Sequence, residues 1–120
     1  MAKWNVTLST TESYNYVGMI NVRQGNKNSE VMEATITQNG LPVDLSQCKA
    51  YLEAILTNGA AIQRAAKIID AKSGKIQYTF DEYSLQAIHE QTANFIFYKG
   101  EDVIATTQDF AYFVVRAVSK

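Results

Sequence analysis

The stretch AYLEAILTNGAAIQRAAKIIDAKSGKIQYTF, residues 50–80, decides the fold. In residues 50–57, Leu52, Ala54 and Leu56 fall on one side, and Tyr51, Glu53 and Ile55 on the other. A period of two marks a half-buried strand. Asn58-Gly59 then supplies a turn. Residues 60–70 are the contested part. Their alanines favour a helix by intrinsic propensity, and Gly74 stands where it could cap one. Yet Ile62, Arg64, Ala66 and Ile68 also share one alternating face, and the segment lies between two turn signals, so it reads as a strand. Ala71-Lys72-Ser73-Gly74 turns the chain again. Ile76, Tyr78 and Phe80 then alternate against Gln77 and Thr79.

The same rhythm continues outward. Residues 17–22 form a short β-rich run, and the polar cluster after it reads as a loop. In residues 30–37, Met32, Ala34 and Ile36 alternate with Glu33, Thr35 and Thr37. Asn39-Gly40 follows, a strong hairpin signal. Gly25 and Gly40 are expected to hold φ > 0, where a side chain is disfavoured. The one proline, Pro42, suits an edge or a connection. Residues 81–91 break the alternation. Leu85 and Ile88 are three apart, which predicts one or two helical turns between strands. Residues 92–98, 103–107 and 110–118 complete the set, with Lys99-Gly100-Glu101-Asp102 as a turn. About seven to nine short strands with turn signals about every ten residues predict an all-β antiparallel sandwich with one short helical connection. No repeat or linker divides residues 1–120, so a single domain is expected.

Composition narrows the function. Of 120 residues, 47% are hydrophobic and 19% charged, with a net charge of −1. That supports one real core and argues against disorder. No basic field is available for nucleic acid, and no polybasic segment for an anionic membrane. No window approaches the roughly 20 apolar residues of a membrane-spanning helix. Met1-Ala2-Lys3-Trp4-Asn5-Val6 lacks the apolar core of a signal peptide, so synthesis in a cytoplasm is expected. The single cysteine, Cys48, excludes an intrachain disulfide and reads as a small, partly buried hydrophobe. With one histidine, His89, no common zinc site can be assembled. Asp81-Glu82 and Glu101-Asp102 sit at turns, where carboxylates are simply solvated. No glycine-rich phosphate loop is present. No catalytic residue, metal ligand or cofactor is expected, and the chain is read as a non-enzyme.

Two features point to an interaction surface. Trp4, Tyr14 and Tyr16 sit in a polar N-terminal stretch. They suit either an exposed docking strip or an ordinary first strand. Phe110-Ala111-Tyr112-Phe113-Val114-Val115 is apolar on both faces, and Phe95-Ile96-Phe97-Tyr98 is similar. Each sheet of a sandwich buries one face, so a strand apolar on both wants a second cover. That cover is a partner or, alternatively, a lid from the segment around Trp4 or around Leu85 and Ile88. The candidate interface residues are therefore Trp4, Tyr14, Tyr16, Phe110, Tyr112 and Phe113. The aromatics also admit a second reading, a carbohydrate-binding sandwich whose exposed rings stack on host-surface saccharide.

Several segments, taken in order, carry a resemblance. They are Asn21-Val22-Arg23-Gln24-Gly25-Asn26-Lys27, the strand of residues 30–37, Asn39-Gly40-Leu41-Pro42-Val43-Asp44-Leu45, Gly74-Lys75-Ile76-Gln77-Tyr78 and Ile104-Ala105-Thr106-Thr107-Gln108-Asp109-Phe110. Over residues 16–118 the chain resembles the N-terminal domain of the phage baseplate upper protein family, found in tailed phages of Gram-positive bacteria such as lactococci. The resemblance implies an immunoglobulin-like β-sandwich and a non-enzymatic structural role in the virion, assembled in the host cytoplasm. It implies docking to the tail hub (distal tail) protein and to other baseplate proteins, with self-association a further option. Receptor-binding proteins would be reached through distal stalk parts that this sequence does not contain. By this reading residues 1–120 are the N-terminal attachment domain of a longer protein or a short relative.

Overall fold

The computed structural model describes residues 3–11, 17–18, 20–26 and 28–116. Among these, ten strands form: β1 (Lys3–Ser9), β2 (Asn21–Arg23), β3 (Val31–Gln38), β4 (Leu41–Pro42), β5 (Lys49–Ile55), β6 (Ala61–Asp70), β7 (Lys75–Thr79), β8 (His89–Lys99), β9 (Asp102–Thr106) and β10 (Phe110–Val115). The all-β fold is as expected, and the contested residues around the alanine run are strand throughout. Alternation prevails there over helix propensity because Ile62, Arg64, Ala66 and Ile68 must turn towards the core together.

The strands form one curled sheet in the order β1-β3-β7-β6-β5-β8-β10-β2, with β4 on β3 and β9 on β8. The curl is made by β6. Its first part, from Ala61 to Ala66, pairs with β5. Its last part, from Lys67 to Asp70, pairs with β7, with a register shift between Ile68 and Asp70. The strand thus passes from one layer to the other. The layers face each other through aromatic rings: Phe80 after β7 meets Tyr112 of β10 at 5.2 Å, and Tyr78 of β7 meets Phe95 of β8 at 6.4 Å. Phe95 stacks on Phe110 at 5.6 Å. At the far side, the buried Gln108 fastens the layers together. Its Oε1 accepts the Ser9 N–H at 2.9 Å, and its own N–H donates to the Ser9 carbonyl at 2.8 Å.

Three details depart from the sequence reading. The sheet is mixed: β1 lies parallel to β3, and β10 parallel to β2. Parallel neighbours need a crossover, and here the crossing is made through the opposite layer, since β2 stands in the chain between β1 and β3. The link over residues 81–88 holds one i→i+4 bond, Leu85 N–H to the Asp81 carbonyl at 3.1 Å, and no helix. Asp81 organises it. Its Oδ1 accepts the backbone N–H of Tyr83 and of Ser84, each at 3.0 Å, and its Oδ2 accepts Arg64 Nε at 2.8 Å. These local bonds satisfy the backbone that a helix would otherwise have to satisfy. Finally, Gly25 lies in a 3-10 turn, Gln24–Asn26, without positive φ. Gly40 does hold φ +80, beside Asn39 at φ +52, the signature of a type I′ hairpin.

Gly74 is the more demanding turn. At φ +69, an added Cβ would lie 2.7 Å from the Ile36 carbonyl oxygen and 2.9 Å from that of Val43, both backbone atoms. At Gly40 nothing lies within 4 Å of such a Cβ. Gly40→Ala is expected to cost about 1–2 kcal/mol through left-handed strain alone. Gly74→Ala should exceed about 3 kcal/mol, because backbone must move as well. Equal urea midpoints for the two variants would contradict this account.

Asp81 also makes stability sensitive to acid. Burial pushes its carboxyl pKa up, but the Ser84 amide and Arg64 outweigh it, and the net direction is down from the ordinary value. A depressed folded pKa stabilises above the unfolded pKa and is lost as pH falls through the folded one. The wild type should therefore lose stability below about pH 4. Asp81→Asn, already weakened at pH 7, should lose less over the same interval when urea midpoints are compared at pH 7 and pH 3.

Candidate docking surface

Strand β10 sorts its side chains cleanly. Phe110, Tyr112 and Val114 point inward and are 6%, 1% and 1% exposed. Ala111, Phe113 and Val115 point outward. Tyr112 Oη donates to the Ser84 carbonyl at 2.8 Å, and burial pushes the Tyr112 hydroxyl pKa up. Trp4 is half-buried on the inward side of β1, with its ring edge-on to Phe80 at 6.3 Å. That placement is the ordinary-first-strand alternative. Tyr14 and Tyr16 lie outside the described residues. Among the described candidate aromatics, only Phe113 is presented outward, 39% exposed.

Phe113 is held rather than left loose. Its N–H donates to the Ile20 carbonyl at 2.7 Å, and the His89 ring stands edge-on to it at 5.9 Å. His89 opens β8 at φ +76, a conformation that costs a side-chain-bearing residue of order 1–3 kcal/mol. The fully buried Gln91 maintains it. Gln91 Nε2 donates to the carbonyls of Ala87, Ile88 and His89 at 3.1, 2.8 and 2.9 Å, while its Oε1 accepts the Thr57 N–H at 2.8 Å. Sequence reading placed His89 in a helical connection; no local signal announces its left-handed backbone.

The two outer faces of the sandwich differ in chemistry. On the β1-β3-β7 layer the outward residues are Lys3, Asn5 and Thr7, then Val31, Glu33 and Thr35, then Lys75, Gln77 and Thr79. Lys3 Nζ pairs with Glu33 Oε2 at 3.0 Å, and Gln77 Nε2 donates to the same oxygen at 3.2 Å. Those contacts hold the Glu33 carboxyl pKa below its usual value, the Lys3 bond contributing most. This is a solvated face.

The β5-β8-β10 layer is different. Its cross-strand register aligns Ala61, Ile55, Thr92 and Ala111 in one row and Ala65, Tyr51, Ile96 and Thr106 in another. Ile55 is 63% exposed, while Ile96 is buried outside the main core. Tyr51 stands edge-on to Tyr98 at 5.7 Å. Between the rows, Glu53 accepts Gln63 Nε2 at 3.4 Å and Asn94 Nδ2 at 3.3 Å. Sequence reading had flagged residues 95–98 as two-sided. It did not place Ile55 and Phe113 on one outer face, because that depends on strand order.

The described residues carry no group that suggests catalysis. No cluster of His, Cys, Asp and Glu among them could hold a metal ion. Burial pushes the Cys48 thiol pKa up, the opposite of activation. Arg64 lies 4.3 Å over the Tyr83 ring. Its charge is balanced by Asp81, so this group braces the loop at residues 81–88.

A family model described as "BppU N-terminal domain" matches residues 2–120. Among solved structures, the N-terminal domain of phage TP901-1 ORF48 is similar, with 28% identity and a TM-score of 0.81. That match covers 95% of this chain and 98% of the other. No curated protein matches the sequence.

The sorting of β10 has a direct consequence. Phe110→Ala should cost about 3–5 kcal/mol of folding stability, as a buried ring replaced by a cavity. Phe113→Ala should stay within about 1 kcal/mol in the isolated chain. Thermal or urea unfolding of the two variants checks this, and a large loss at Phe113 would place its ring in the core.

Proposed function

Because the chain belongs to the BppU N-terminal domain family, structural domains of the phage tail baseplate, we propose that it is an adaptor that docks on the tail hub so that receptor-binding proteins can be displayed for host attachment. The family makes it a structural virion component associated with other baseplate proteins. The hub as the partner, and assembly in the host cytoplasm, are the finer part of the proposal.

The observation that carries this reading is the inequality of the two outer faces. One is charged and internally paired. The other presents Ile55, Tyr51, Ala111 and Phe113 as exposed or half-exposed surface. Ile55, Ala111 and Phe113 lie towards one end of this face, and Tyr51 stands apart from them beyond Glu53. Exposed apolar surface grouped in this way marks an interaction site, and interfaces concentrate their energy in a few aromatic anchors. The carbohydrate reading gains less support. Arg64 sits over the exposed Tyr83 ring, and Tyr51 and Tyr98 are set edge-on to one another instead of forming a flat platform.

The test is a binding measurement between the purified chain and the tail-hub protein of the same phage, beside a glycan array. A stable hub complex with a silent array supports the adaptor. No hub complex, together with saccharide binding, overturns it. In the complex, Phe113→Ala is expected to weaken affinity by more than about 10-fold, the scale of an anchor residue, while leaving the fold intact.

A further inference from the structure

The outer face of the β5-β8-β10 layer carries two shallow grooves. One, of about 190 Å³, runs beside Phe113, Ala111, Asn21 and Glu90. The other, of about 280 Å³, runs beside Ile55, Ala61, Thr92, Glu53 and Asp109. They adjoin, because Thr92 at the edge of the second is paired with Ala111 in the first. Together they make one apolar trough across the strands.

The charges along this trough share one sign. Glu90 and Asp109 are exposed. Glu53 accepts only amide donors among the described residues. The two ion pairs described, Lys3 with Glu33 and Arg64 with Asp81, lie elsewhere. The cations on the same face, Lys49 and Arg23, stand at its ends, beside Tyr98 and Val115. Three carboxylates without a cationic partner among the described residues, around an apolar floor that is held in shape by Gln91 and the strained His89, form a preorganised negative frame.

Building on the docking reading above, we infer that this trough receives a basic, apolar segment of the partner protein, one that lays aliphatic or aromatic side chains against Phe113 and against Ile55 and sets lysine or arginine side chains against Glu53, Glu90 and Asp109. The apolar floor supplies affinity. The carboxylates supply register and association rate, which is the usual division of labour at a charged rim.

The experiment measures binding of the intact chain to the cognate tail-hub protein as ionic strength is varied and as the trough is altered. Raising salt from 50 to 500 mM should weaken the wild-type complex by about 10-fold or more, since the rim charges are solvent-exposed and screened. Glu90→Gln with Asp109→Asn should remove most of that salt dependence, and Glu90→Lys with Asp109→Lys should weaken binding by about 100-fold. Lys75→Glu, on the opposite face, should leave it unchanged. Circular dichroism of each variant confirms that it is folded. Hub binding that is indifferent to salt and to the carboxylate variants overturns this inference and leaves docking standing. A wild-type chain that does not bind the hub overturns the docking reading, and this inference with it.

Discussion

The fold depends on one strand serving two layers. Every backbone amide and carbonyl in a buried strand must find a partner. In β6 that obligation is met by β5 over its first half and by β7 over its second. The change of partner at Ile68–Asp70 turns a flat sheet into a curled one and brings Tyr78 and Phe80 over Phe95 and Tyr112. The seam opposite β6 is closed by one residue, through its side chain and its backbone, not by a ladder. Gln108 meets both the N–H and the carbonyl of Ser9.

How far the sequence carried the reading can be followed residue by residue. The strands were visible because period-two patterning is local, and the turns because Asn39-Gly40, Asn58-Gly59 and Ser73-Gly74 announce themselves in adjacent residues. Even the alanine-rich β6 was readable, since its neighbours on both sides are turns. The parallel pairing of β1 with β3 was not, because it is set by which layer β2 occupies, a long-range fact. The connection at residues 81–88 was misread as helical for a related reason. Leu85 and Ile88 are spaced like a helix, but Asp81 satisfies the local amides first.

The candidate surface shows the same divide. Two-sided hydrophobicity in β10 was evident, but which side faces in is fixed by pairing with β8 and β2. Phe110 and Tyr112 go to the core and Phe113 to the outside. Trp4, one of the N-terminal aromatics, packs edge-on to Phe80 as part of β1. Ile55 and Phe113 fall towards the same end of one outer face only after the order β5-β8-β10 is known. The candidate surface is the side of the sheet left over when the core is complete, with the polar clamp of Gln91 at its edge.

The placement of β10 has a mechanical consequence. The strand is flanked on both sides, antiparallel to β8 and parallel to β2. Bonds to its neighbours run across its axis, so tension applied along the strand loads them together, in shear. A pull across the strand would instead peel it, one bond at a time. For a structural part of a virion, such geometry distributes a pull along β10 over the ladder instead of concentrating it at one hydrogen bond.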